Sequence, residues 1–250
     1  MSETQATFWD HLDQLRFCIL RSIGVTATLA VVAFCLKEPL FQAVLAPRSS
    51  DFITYRLMGA EPFQLHLINI GLTEQFMTHL RVALYVGLLF ALPYVLYELY
   101  RFVSPGLYRN ERLAGRWIVG SGYCMFLLGT AVTYFIIFPF TVRFLGTYQV
   151  STDIDPMLTL QSYIDTLITL CFVMGVVFEL PVVCAVLGRL GIISGSVMRR
   201  YRRHALVAIL VVAAVITPTT DVFTLLVVSL PIWLLYEVSI LLVPNKKQVP

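Results

Sequence analysis

Apolar residues along this chain come in long blocks, without the strict alternation of a half-buried strand. Six blocks stand out, at residues 17–36, 76–102, 117–145, 164–190, 205–217 and 222–243. A bilayer hydrocarbon core about 30 Å thick takes about 20 apolar residues of helix. In lipid the backbone must satisfy its own hydrogen bonds, and blocks this long do not suit the short alternating strands of a barrel. The pattern predicts an all-α, polytopic membrane protein with six transmembrane helices in one domain over residues 1–250. The last two spans are short. Residues 205–217 make only about 20 Å of helix. One reading is a re-entrant hairpin tipped by Thr217, Pro218, Thr219, Thr220 and Asp221. The other is two true spans that thin the bilayer locally. True spans are preferred, because residues 222–243 alone are long enough to cross. Pro93, Pro139, Pro181 and Pro231 fall inside spans, where each removes a backbone donor and is expected to bend its helix.

Composition supports lipid as the solvent. Residues are 58% hydrophobic and 13% charged, about half the charge density of a soluble domain. The net charge of +3 gives no support for nucleic-acid binding. The placement of the charges is more informative. Thirteen of the 18 basic residues gather on one side of the predicted spans, from Arg16 and Arg21 through Arg101–Arg116 and Arg189–Arg203 to Lys246 and Lys247. The positive-inside rule puts that side, and both termini, in the cytoplasm. The five cysteines are scattered among apolar blocks with no CxxC, and read as small buried hydrophobes. The acidic start (Glu3, Asp10, Asp13) is unlike a cleaved signal, so the first span is expected to stay as an anchor. No internal repeat is evident.

Several polar positions need an account. Glu179 lies deep in the fourth span, where a carboxylate costs roughly 2.5–3.5 kcal/mol on insertion scales. It is either a protonated acid bonded to a neighbouring helix or a polar contact for a partner or a proton. Glu98 has Arg101 three residues on, and a local ion pair accounts for it. Glu237 is close enough to a helix end to snorkel. Asp221 follows a Thr-Pro turn, a natural cap for the last helix. Glu111 is the one acid in a cytoplasmic loop rich in arginine. It either pairs with Arg109 or Arg112, worth under about 1 kcal/mol at a surface, or is held for an external cation. Residues 8–16 form a short amphipathic helix, with Phe8, Leu12 and Leu15 on one face and Trp9 at the interface, running into the first span. The GxxxxGK[ST], HExxH and GxSxG motifs are absent, and the four histidines lack ligand spacing. The chain reads as neither an enzyme nor a cofactor or metal binder. On residues alone a proton-coupled small-solute transporter or channel using Glu179 stays open.

Four landmarks then occur in order: His11-Leu12-x-x-Leu15-Arg16; Phe102-x-x-Pro105-x-Leu107-Tyr108-x-x-Glu111-Arg112; Phe178-Glu179-x-Pro181; and Thr217-Pro218-x-x-Asp221. As a set they resemble TatC, the multi-spanning receptor component of the twin-arginine protein translocase. The resemblance implies a core translocase component in the bacterial cytoplasmic (inner) membrane. It implies binding of the twin-arginine signal peptides of folded cargo at the cytoplasmic face. It implies assembly with single-span TatA-like and TatB-like partners, self-association in a larger complex, and export driven by the proton-motive force. Carried over by residue, Glu111 accepts the twin arginines, with Phe102 in the same groove and Arg16 in the opening motif. Glu179, Asp221 and the outer-loop Pro47 become intramembrane or partner contacts. The family usually has Glu where this chain has Gln14, and many relatives have Gln where it has Leu225. Gln keeps an acceptor oxygen without the charge, and charge-assisted bonds are about twice as strong as neutral ones. Asp10, one turn before Gln14, or Asp13 beside it is expected to supply some of the missing charge. Unchanged peptide affinity in both Asp10→Asn and Asp13→Asn would remove that expectation.

Overall fold

The computed structural model describes residues 8–57, 59, 65–103, 115–147, 157–217 and 221–244, with side chains described from Leu12, up to Phe102, and again from Trp117. In chain order the elements begin α1 (Phe8–Cys35), α2 (Lys37–Leu45), a 3-10 turn (Ala46–Arg48), α3 (Ile53–Leu57), β1 (Leu67–Ile68) and α4 (Glu74–Val103). They continue α5 (Gly115–Val132), a π-helical turn (Thr133–Ile137), α6 (Phe138–Thr147), β2 (Leu158–Thr159), α7 (Leu160–Phe178) and α8 (Leu180–Arg189). The chain ends with α9 (Gly195–Arg200), α10 (Arg202–Ile216) and α11 (Val222–Leu242). Among the described residues, five stretches are long and apolar enough to cross a membrane: Leu12–Cys35, Glu74–Phe102, Trp117–Thr147, Leu160–Arg189 and Val222–Leu242. The remaining predicted span, the fifth, corresponds to α10, which has 15 residues. Large apolar side chains lie bare along these helices, Val31 at 65%, Trp117 at 82% and Val215 at 81% exposure. That much uncovered apolar surface belongs in lipid.

Residues group into two compact units. The first holds Met1–Glu38 and His79–Cys124. Here the predicted amphipathic turn and the first span are one continuous helix, α1. It runs antiparallel to α4: Phe34 near its end stacks on His79, with ring centroids 4.0 Å apart, and Arg21 near its start meets Glu98. Gly87 makes the close approach possible. A Cβ there would lie 2.5 Å from the Ala30 backbone nitrogen.

The second unit holds Pro39–Thr78 and Met125–Pro250. Its first layer is a tie built on Tyr55. Tyr55 is 1% exposed, and its hydroxyl is shared between the carbonyls of Pro47 (3.1 Å) and Pro139 (3.0 Å). Burial pushes that phenol above its usual range, and the Arg143 charge only partly opposes the shift. β1 and β2 pair in parallel, Leu67 opposite Leu158 and Ile68 opposite Thr159. The Glu74 carboxylate accepts from the backbone of Ile70, Gly71 and Gln161, joining the start of α4 to that of α7.

Prolines act differently from site to site. Pro139 lacks the N–H that would bond the Phe135 carbonyl. The preceding residues wind as the π turn, and the Thr54 hydroxyl donates to that carbonyl instead. The fourth predicted span is broken: α7 ends, Glu179 caps it, and α8 begins with Pro181 in its first turn. Pro93 and Pro231 interrupt neither α4 nor α11. Inside this unit Gly129 admits α7 closely, since a Cβ there would sit 2.7 Å from the Met174 carbonyl oxygen. None of the five cysteines forms a disulfide; Cys18 and Cys171 are buried, as expected, while Cys35 and Cys124 are exposed.

Candidate functional site

Within the first unit the last turns of α4 face the first turns of α1. Gln14, Phe17, Cys18 and Arg21 recur at helical spacing and share one face of α1. Glu98, Arg101 and Phe102 do the same on α4. Together they line an open cavity of about 440 Å³. Glu98 is 5% exposed. Its Oε1 accepts from the Tyr94 hydroxyl at 3.0 Å and faces Arg21 Nη1 at 3.8 Å. The rim is softer: Phe102 is half-buried, and Gln14 and Arg101 are exposed. The groove thus offers a buried carboxylate, a neutral amide, two guanidinium groups and aromatic faces. Such a set suits a planar, hydrogen-bonding charged group.

Two sequence-predicted residues, Gln14 and Phe102, meet in this cavity. Asp13 and Arg16 are exposed on α1 and are not among the residues that line it. Glu111 and the loop around it lie outside the described residues, as does the side chain of Asp10. Arg21 and Glu98 were missed as site residues. Sequence spacing assigned Glu98 to Arg101 on its own helix, whereas Arg21 reaches it from α1. The one available signal was that Arg21 lies seven residues after Gln14, on the same helical face.

The remaining predicted residues fall in the second unit. Glu179 is half-buried at the break between α7 and α8. Its Oε1 is shielded from solvent and has no hydrogen-bond partner among the described residues. Asp221 is the N-cap of α11, its Oδ1 accepting from the Thr224 amide at 2.6 Å. Pro47 is buried and its carbonyl serves Tyr55. Glu237 is tied to Arg202 at 2.5 Å. Among the described residues no group of three or more His, Cys, Asp or Glu is arranged to hold a metal.

Comparison with known proteins gives one consistent result. The family model of TatC, the Sec-independent protein translocase protein, matches residues 10–231. The chain is similar to the Sec-independent protein translocase protein TatC of Deinococcus radiodurans, 34% identical over 238 residues, covering 95% of this chain and 85% of that one. It is also similar to the TatC of Carboxydothermus hydrogenoformans, 32% identical over 241 residues, covering 96% and 93%. In three dimensions it resembles a crystal structure of the twin arginine translocase receptor TatC, with a TM-score of 0.77 and 30% identity over 93% of this chain and 97% of that one. A family model that spans most of the residues, with likeness of sequence and fold over nearly the full length, places this multi-pass membrane protein in the TatC family, as a component of the Sec-independent, twin-arginine protein translocase.

Proposed function

We propose that this chain is the signal-peptide receptor of a twin-arginine translocase. It binds the paired arginines of folded cargo at the cytoplasmic face of the bacterial inner membrane, through Glu111 and the groove of Gln14 and Phe102. It works as one membrane domain of six spans with both termini in the cytoplasm, as the gathering of arginines on one side of the spans supports. It assembles with TatA-like and TatB-like single-span proteins, and export draws on the proton-motive force. The observation that carries this reading is the cavity shared by Gln14 and Phe102, in a chain whose solved relative is described as a receptor.

A partner helix is the natural complement to the unpartnered Glu179 oxygen, because an unsatisfied buried acceptor gains most from a donor brought by another chain. Membership of a translocase family removes the ground for the small-solute transporter. Complementation of a translocase-deficient strain tests the proposal. The chain should restore export of a twin-arginine cargo, and Glu111→Gln should abolish it while inserting normally. Normal export by Glu111→Gln would refute the assignment.

A further inference from the structure

Among the groove residues, Glu98 carries chemistry that no role so far described uses. Its side chain is 7% exposed, and its described polar contacts are few. An ionised carboxylate offers about four acceptor sites. Among the described residues one hydrogen bond, from Tyr94, reaches Oε1. The Arg21 contact also goes to Oε1, and at 3.8 Å it is a charge contact outside hydrogen-bond range. Both of these contacts fall on Oε1, which leaves Oε2 outside them. Arg21 is held loosely in a second sense, since half of its side chain (53%) is in the open. A carboxylate that lines an open cavity with its two described contacts on a single oxygen can take a ligand that brings a fork of N–H groups.

We infer that Glu98 is a specificity-determining residue that accepts a guanidinium of the incoming twin-arginine pair, displacing Arg21, which occupies the place of that group in the free protein. This rests on the receptor reading above. It also answers how the groove works with a neutral Gln14: the negative charge sits across the cavity, on α4. Gln14 adds an acceptor oxygen at the rim, and Phe17 and Phe102 offer aromatic faces on which a guanidinium stacks. Lysine would be the poorer ligand, because a point charge does not match a carboxylate bidentately. Arg21 is then a competitor for the ligand, and its removal should help binding.

The test uses the purified full-length protein in lipid nanodiscs and fluorescent signal peptides bearing Arg-Arg or Lys-Lys. Glu98→Gln should weaken Arg-Arg binding ~30-fold or more, the scale for losing one member of a buried hydrogen-bonded charge pair. Arg21→Gln should tighten it several-fold. A role in the fold alone predicts the opposite for Arg21, because breaking the Arg21–Glu98 pair would damage the groove from either side. Equal weakening by both variants therefore overturns the inference. So does unchanged affinity in Glu98→Gln while Glu111→Gln loses binding, a result that leaves the receptor reading intact. Failure of the unaltered protein to distinguish Arg-Arg from Lys-Lys removes the receptor reading and this inference with it. If Glu98→Gln does not fold, Arg21→Gln decides alone: tighter binding supports the exchange, and unchanged or weaker binding rejects it.

Discussion

At the residue scale, single polar groups do separable work. Asp221 caps α11 through an oxygen that asparagine retains and alanine lacks. Asp221→Ala should therefore destabilise the protein by about 1 kcal/mol, and Asp221→Asn by a few tenths. Thermal unfolding in detergent would show the difference. If Asp221→Asn instead keeps its stability and loses export, the carboxylate charge serves a partner. Glu179 differs, since its shielded Oε1 has no described partner to lose. Glu179→Gln should insert and melt like the parent, within about 0.5 kcal/mol, while co-purification of single-span partners falls. Unchanged partner recovery would return Glu179 to a purely internal role. These residues also show what the sequence made legible. The Asp221 cap is a local motif, read from a Thr-Pro turn before an apolar run. Gln14 and Phe102 were legible through family motifs. For Glu98, helical spacing sees Arg101 on the same element and is blind to Arg21, which reaches it from α1.

At the element scale, prolines disturb their helices unequally. Pro139 frees the Phe135 carbonyl, and Thr54 takes it. Thr54→Val should leave that carbonyl unpaired and cost about 1–3 kcal/mol. Pro139→Ala restores an N–H, so the pair Thr54→Val, Pro139→Ala should cost less than the sum of the single changes. Strict additivity of the unfolding free energies would mean that the two groups do not share the carbonyl. The sequence marks Pro139 as a disturbance but cannot name Thr54, which lies 81 residues away. Likewise it marks Pro181, and the outcome is a one-residue interruption at Glu179, while Pro93 and Pro231 leave their helices continuous. Proline chemistry was legible; its local consequence depended on packing. Gly87 makes the same point for helix contact. Nothing in its sequence neighbourhood marks it, but its missing Cβ lets α1 and α4 touch. Gly87→Ala should cost about 1–3 kcal/mol through overpacking against the Ala30 backbone, and should loosen peptide binding with it.

At the scale of the whole molecule, the unresolved matter in the sequence is the short fifth span, and pairing of the last helices narrows it. Arg202 at the start of α10 bonds Glu237 on α11, so the two helices form an antiparallel hairpin with those residues level. From Glu237 back to Val222 is about 22 Å of helix, and α10 has nearly the same length. Their upper ends, Ile216 and Val222, therefore lie level, with residues 217–221 joining them. Below Glu237, α11 continues for about another 8 Å to Leu242. With its 21 residues α11 reaches about 31 Å, enough for a hydrocarbon core of about 30 Å. If α11 crosses, the joining segment is carried to the outer face along with it, and α10 is short because Arg202 enters at a higher level. A guanidinium placed there draws headgroups and water inward, which thins the bilayer locally. A re-entrant hairpin would require α11 to stop short despite its length. A cysteine placed at Thr219, in a chain freed of its five native cysteines, should thus react with a membrane-impermeant maleimide from the outer side of intact cells. One placed at Arg199 should react only after the membrane is opened. Protection of position 219 from the outer side, with labelling after permeabilisation, would show that the segment joining α10 to α11 never reaches the outer face and would leave four crossings instead of six.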